Sequence, residues 1–201
     1  MKKIIAILSI VTTATMAFAQ GQVSFANVST ALISTNGGSA TGPAGGPIAS
    51  FYYALFYSTS ATTIGTMTQL GSIGTNTVTA GRFTGGSGSA LAPVLAGVNI
   101  GANVNIILAG WSANLGLTYA GAALAAANNG ALNTAQNAYF GVSTLANMVA
   151  GGGATPIPTV MGTTAAQIPG FSLTLVPIPE PGTMALAALG GASLLLFRRK
   201  K

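Results

Sequence analysis

Side chains able to move a proton, hold a metal ion or attack a carbonyl are nearly absent from this chain. Its 201 residues include one acid, Glu180, seven cations, no His and no Cys. A carboxylate pair for glycoside or acid/base chemistry therefore cannot be assembled, and a nucleophilic triad lacks its base. No zinc site, facial triad or calcium loop can be built from the side chains of this chain alone, so no catalytic residue, metal or cofactor is expected. What remains is recognition. Tyr52, Tyr53, Tyr57 and Trp111 have aromatic faces with polar tips, which suit stacking on neutral carbohydrate. On an alternating strand half of such residues turn inward, and Trp111 follows a strand that reads as buried, so core packing is the stronger expectation for them. The glycine clusters contain no Gly-Lys-Ser/Thr and no complete Gly-x-Gly-x-x-Gly opening a helix, which leaves turns rather than phosphate loops. Asn27-Val28-Ser29 has the form of a glycosylation acceptor but carries no expectation here. Arg82, between Gly81 and Phe83, reads as a solvated strand edge.

The charge is confined to the two ends. Lys2 and Lys3 open the chain, Arg198, Arg199, Lys200 and Lys201 close it, and Arg82 is the only cation between them. A nucleic-acid groove needs clustered Lys or Arg beside aromatic platforms, so no nucleic-acid partner is expected.

Each basic cluster borders an apolar run. Lys2-Lys3, the stretch Ile4 to Val11, and a polar segment ending in Ala17-Phe18-Ala19 have the layout of a secretory signal peptide over residues 1–19, whose helix signal peptidase would release after Ala19. At the other end Pro177-Ile178-Pro179-Glu180-Pro181-Gly182 precedes an apolar run from Thr183 to Phe197 and the basic stop. As a helix that run covers roughly 22 Å of a hydrocarbon core about 30 Å thick, short for a permanent anchor. Gly190 and Gly191 weaken its middle further, while the terminal cations can snorkel to extend it. A membrane helix is expected nonetheless, because only Thr183 and Ser193 offer a polar stripe. The positive-inside rule keeps both basic clusters cytoplasmic and sends everything between them across the membrane. Pro177, Pro179 and Pro181 fix φ and remove donors, so the segment before the helix stays extended and accessible.

Pro179-Glu180-Pro181, a short apolar helix and a terminal Phe-Arg-Arg-Lys-Lys, combined with a signal peptide, resemble the PEP-CTERM sorting domain of Gram-negative bacteria that make exopolysaccharide. The resemblance covers about residues 176–201. It implies recognition by an exosortase, a membrane-embedded enzyme that processes such chains at or near the Pro-Glu-Pro element. The inner membrane would then hold an intermediate, and the product would reach the cell surface or the extracellular matrix, possible contact with exopolysaccharide included. The Leu-Pro-x-Thr-Gly pentapeptide of Gram-positive wall sorting does not occur. The expected organisation is a signal peptide at 1–19, one domain at 20–176 and a sorting signal at 177–201.

The central domain shows no internal repeat and has a β texture. Val23 and Phe25 alternate with polar neighbours, and Ile48 to Tyr57 is an aromatic-rich run bounded by turn residues. Val98 to Leu108 holds period two, as do Phe171, Leu173 and Leu175. Asn36-Gly37-Gly38, Gly85-Gly86-Ser87-Gly88, Asn128-Asn129-Gly130 and Gly151-Gly152-Gly153 mark turns. Only Tyr119 to Ala127, Ala-rich and closed by Asn-Asn-Gly, predicts a helix. The expected fold is all-β, an antiparallel β-sandwich of immunoglobulin-like or jelly-roll-like type with one short helix. With both ends removed, the domain is nearly uncharged and rich in Ser, Thr, Asn and Gly. Such a surface lacks colloidal repulsion and suits a matrix component better than a diffusing enzyme. A non-enzymatic surface or matrix protein is therefore expected, with a carbohydrate-binding module or a permanently anchored surface protein as the alternatives.

Overall fold

A computed structural model of the chain describes residues 20–37, 41–128, 137–176 and Leu189. The first strands are β1 (Gln20–Gln22), β2 (Ser24–Asn27), β3 (Ser34–Asn36), β4 (Gly42–Pro43) and β5 (Phe51–Ser58). They are followed by β6 (Thr68–Asn76), β7 (Phe83–Thr84), β8 (Val94–Asn99) and β9 (Asn103–Ser112). A helix, α1 (Tyr119–Ala127), precedes β10 (Ala138–Val142), β11 (Ala146–Val149), β12 (Thr159–Met161) and β13 (Ser172–Val176).

Strands β5 and β9 form the spine because both alternate on two apolar faces. Phe51, Tyr53, Leu55 and Tyr57 of β5 join Val104, Ile106 and Leu108 of β9 in the larger core. Ala54 and Phe56 join Ile107, Ala109 and Trp111 in a second core on the opposite face. The register keeps each set together, with Leu55 opposite Leu108 and Ala54 opposite Ala109. Two strands covered on both sides read as nearly continuous apolar runs, which is what these segments show.

The remaining strands extend this pair into one 11-stranded sheet in the order β12-β2-β7-β6-β5-β9-β10-β13-β3-β4, with β11 beside β10 on β9. The sheet curls into a half-barrel. Its β3–β4 end folds back onto the β6–β7 connection at Gly81, whose carbonyl accepts from Ile33 N–H at 3.0 Å and whose N–H donates to the Ala44 carbonyl at 2.6 Å. The interior so enclosed holds Phe25, Phe83, Ile33, Leu173 and Met161, all at most 2 % exposed. A two-stranded sheet of β1 and β8 completes the described strands.

Helix α1 covers the second core. Thr118 caps it, its hydroxyl accepting from Gly121 N–H at 3.2 Å, and Ala122 is fully buried against the sheet. Its first residue, Tyr119, meets the Phe56 ring edge-on at 4.7 Å and the Trp111 ring at 6.2 Å.

The strand-rich fold with one short helix matches the sequence, and the helix spans the predicted residues. The stacked antiparallel sheets do not describe it: the strands follow one curled path, and β12–β2 and β13–β3 are parallel pairs. Three finer expectations also change. The period-two segment from Val98 to Leu108 is two strands, broken where Gly101 takes φ +81°. The Ile48 run enters β5 only at Phe51, because Pro47 to Ser50 is a turn closed by Ser50 N–H on the Pro47 carbonyl at 3.1 Å. Arg82 is not at a sheet edge: it precedes β7, which lies between β2 and β6, and its Nε donates to Asn27 Oδ1 at 3.3 Å.

Candidate functional site

The aromatic residues singled out by the sequence lie on the spine, and the strand period divides them between its two faces. Tyr53 and Tyr57 belong to the larger core, 1 % and 5 % exposed. Trp111 is fully buried in the second core, where its indole N–H donates to the Gly116 carbonyl at 2.9 Å. Tyr52 is half-buried and packs on Trp111 at 6.2 Å. The four therefore do not assemble an exposed stacking platform: three are enclosed, and they point to opposite sides of one sheet. Burial also pushes the Tyr53 phenol well above its ordinary pKa and raises that of Tyr119.

Tyr53 occupies a gap left by glycines. Gly74 of β6 and Gly110 of β9 stand opposite it on either side, and Gly141 of β10 continues the row. A Cβ on Gly110 would meet the Tyr53 ring at 2.9 Å and Leu173 Cδ2 at 3.0 Å. The missing side chain at Gly110 makes room for the ring, which packs on Phe83 at 4.7 Å, whereas Cβ atoms at Gly74 and Gly141 would meet the Thr84 and Ser172 carbonyls instead.

At the strand end above this row lies a cleft of about 300 Å³ lined by Ala49, Ser50, Phe51, Ser112, Ala113, Asn114, Asn137 and Tyr139. A chain of hydrogen bonds organises its wall. Ser112 Oγ–H donates to Asn114 Oδ1 at 2.6 Å, and Ser112 Oγ in turn accepts from Tyr139 N–H at 2.8 Å. Asn114 Nδ2 donates to the Asn137 carbonyl at 3.1 Å, and Tyr139 Oη–H donates to the Gly37 carbonyl at 3.1 Å. The Phe51 and Tyr139 rings stand 6.4 Å apart beneath.

The rim carries backbone strain. Ala49, with φ +67°, is the only described non-glycine residue in the left-handed region. It holds the third position of the Pro47–Ser50 turn, which in its type II form calls for Gly or Asn. Asn76 enforces the turn: its Nδ2 donates to the Pro47 carbonyl at 2.9 Å and its Oδ1 accepts from Phe51 N–H at 3.0 Å. Sequence reasoning missed this cleft because Ser112, Asn114 and Asn137 look like ordinary turn residues. The only local hint was a cluster of amides and hydroxyls right after an apolar strand.

A second cleft, of about 360 Å³, runs between α1 and the strand ends, with Ala123, Ala126, Ala127, Phe140, Thr174, Leu175 and Val176 around it. It is apolar and ends at the last residue of β13.

The chain beyond β13 was expected to carry the sorting signal. A family model described as the PEP-CTERM protein-sorting motif matches residues 177–200, directly after Val176. The motif marks the chain for export and surface sorting and for processing by an exosortase-type enzyme. No curated protein and no solved structure matches the chain. Pro179, Glu180, Pro181, the run from Thr183 to Phe197 apart from Leu189, and Arg198 to Lys201 lie outside the described residues, as do Ala17 and Ala19. Among the described residues, no helix is long and apolar enough to cross a membrane.

Proposed function

We propose that this protein is a non-enzymatic component of the cell surface or extracellular matrix, delivered by its C-terminal signal and associated there with exopolysaccharide. The observation that carries this reading is the sorting motif matched at residues 177–200, joined without a spacer to the strand that closes the folded domain. Composition supports it from the other side. Residues 20–176 contain Arg82 as their only charged side chain and neither His nor Cys, a poor inventory for catalysis but a surface with little repulsion between copies.

In this reading signal peptidase acts after Ala19, using Ala17 and Ala19 as its small-residue positions. The helix from Thr183 to Phe197 holds the intermediate in the inner membrane, with Arg198 to Lys201 as its cytoplasmic stop. The exosortase reads Pro179, Glu180 and Pro181 in the extended stretch above it. Glu180→Ala is expected to block C-terminal processing without unfolding the domain, because the residue lies beyond β13. Intact mass of the chain from its native host checks this: accumulation of the uncleaved form is expected, and a normally processed mutant would remove Glu180 from the recognised element. The wild-type mass also separates a processed product from a permanently anchored one.

A further inference from the structure

We propose that the outer face of α1, together with the apolar cleft beside it, docks on the lipid surface of the bilayer that holds the C-terminal helix. This deepens the preceding reading and rests on its membrane-held intermediate.

Helix α1 has no polar stripe. From Tyr119 to Ala127 it is built of alanines, one Gly, one Leu and the opening Tyr, and a helix that is apolar all round belongs in a core or in lipid rather than against water. Only one side of it meets the core. Ala122 is fully buried against the sheet, whereas Ala120, Gly121, Leu124 and Ala127 are exposed and recur at the three- and four-residue spacing of a single stripe. Leu124 is 65 % exposed, and Leu117, just ahead of the cap, is 70 % exposed. The stripe runs on into the second cleft, where Ala123, Ala126 and Ala127 face Leu175 and Val176 of β13. Helix and strand end thus share one uncharged, apolar surface.

The position of that surface decides what covers it. The matched sorting motif begins at residue 177, and six residues, Pro177 to Gly182, separate Val176 from the apolar run that starts at Thr183. Six residues reach at most about 20 Å, so Val176 cannot stand farther than that from the bilayer while the run is inserted. A patch of two leucines and a few alanines would hold a free protein only weakly on lipid. The tether changes this, because it keeps the bilayer at a high effective concentration. Burial of apolar area then drives the contact, and anionic headgroups have no part in it, since neither α1 nor the cleft carries a charge. Docking would hold the Pro-Glu-Pro element beside the membrane, within reach of a membrane-embedded enzyme. The cut that removes the tether would also return the domain to the weak, untethered regime and so undock it.

The chain has no Cys, so a single introduced one can carry an environment-sensitive dye. Leu124→Cys places the dye on the stripe. Leu145→Cys is the comparison: Leu145 is 43 % exposed and follows the end of β10 opposite the Ala138–Val176 pair. Ala120→Cys repeats the stripe measurement one turn earlier and serves if the first variant does not fold, as judged by thermal melting. The chains are purified with the C-terminus uncleaved from a host lacking the processing enzyme, labelled, reconstituted into phosphatidylcholine vesicles containing nitroxide lipid, and recovered by flotation. The dye on the stripe is expected to be quenched at least about fivefold more strongly than the dye at 145, because only the stripe reaches the acyl boundary. Equal quenching at the two positions in chains that float would overturn the docking while leaving the membrane-held intermediate intact. A stripe dye shielded from aqueous iodide yet not quenched by lipid would also overturn it, and would assign the face to a second copy of the chain. Chains that fail to float would overturn both the docking and the membrane helix on which it rests.

Discussion

A buried asparagine shows how a single residue holds this sheet. Asn27 is 1 % exposed, and its amide donates to the carbonyls of Ala31 and Gly81 while its oxygen accepts from Phe83 N–H. In the sequence Asn27 offered only a sequon; its partners at Gly81 and Phe83 are too distant along the chain to be foreseen. The same holds for the row of Gly74, Gly110 and Gly141, which no local pattern in the sequence marks. Gly110→Ala is expected to destabilise the domain by about 1–3 kcal/mol, because the new methyl has no space beside the Tyr53 ring and overpacked cores pay in strain. Thermal unfolding followed by circular dichroism measures it. A mutant melting like the wild type would mean that Tyr53 can move aside.

Elements differ in how openly the sequence announces them. Helix α1 was legible because its signals are local, an Ala-rich stretch and Asn-Asn-Gly as stop, while the Thr118 cap is seen only in the structure. Of the spine, β5 was legible as an aromatic-rich run bounded by turn residues and β9 as part of a period-two segment. The break between β8 and β9 was not, because Ile100 and Ala102 keep the alternation going through the turn and only Gly101 interrupts it. The curl was equally hidden, since parallel pairing of β13 with β3 joins segments far apart in the chain and depends on no local pattern. The cleft was illegible for the same reason: three separate segments build it. Removing the helix cap by Thr118→Ala should cost about 1 kcal/mol, seen as a small fall in melting temperature with the sheet signal intact. A fall large enough to unfold the protein would mean the cap also anchors the second core.

Taken whole, the domain is electrically quiet. With Arg82 as the only charged side chain from 20 to 176, there are no carboxylates to protonate and no histidine to charge. Stability should thus be flat from acid to about pH 9. Tyrosines then set the alkaline limit. Burial raises the Tyr53 and Tyr119 phenols above their unfolded values, so above about pH 10 the unfolded chain releases protons that the folded one keeps. Stability is fully present below that point and falls as pH rises through it. Denaturant midpoints measured from pH 4 to pH 12 check the shape, and a marked loss on the acid side would contradict it.

The two parallel pairings carry a consequence for timing. Strands β2 and β3, near the start of the domain, find these partners only in β12 and β13, at its far end. A chain crossing a membrane from its N-terminus would leave β2 without this partner until Met161 has emerged and β3 without its partner until Val176 has. The domain is thereby unable to close prematurely, and its closure becomes a report that translocation has reached the threshold of the sorting signal. A chain ending at Gly170 is expected to stay protease-sensitive, whereas one ending at Val176 should become resistant. If both resist equally, the last strand is not the latch.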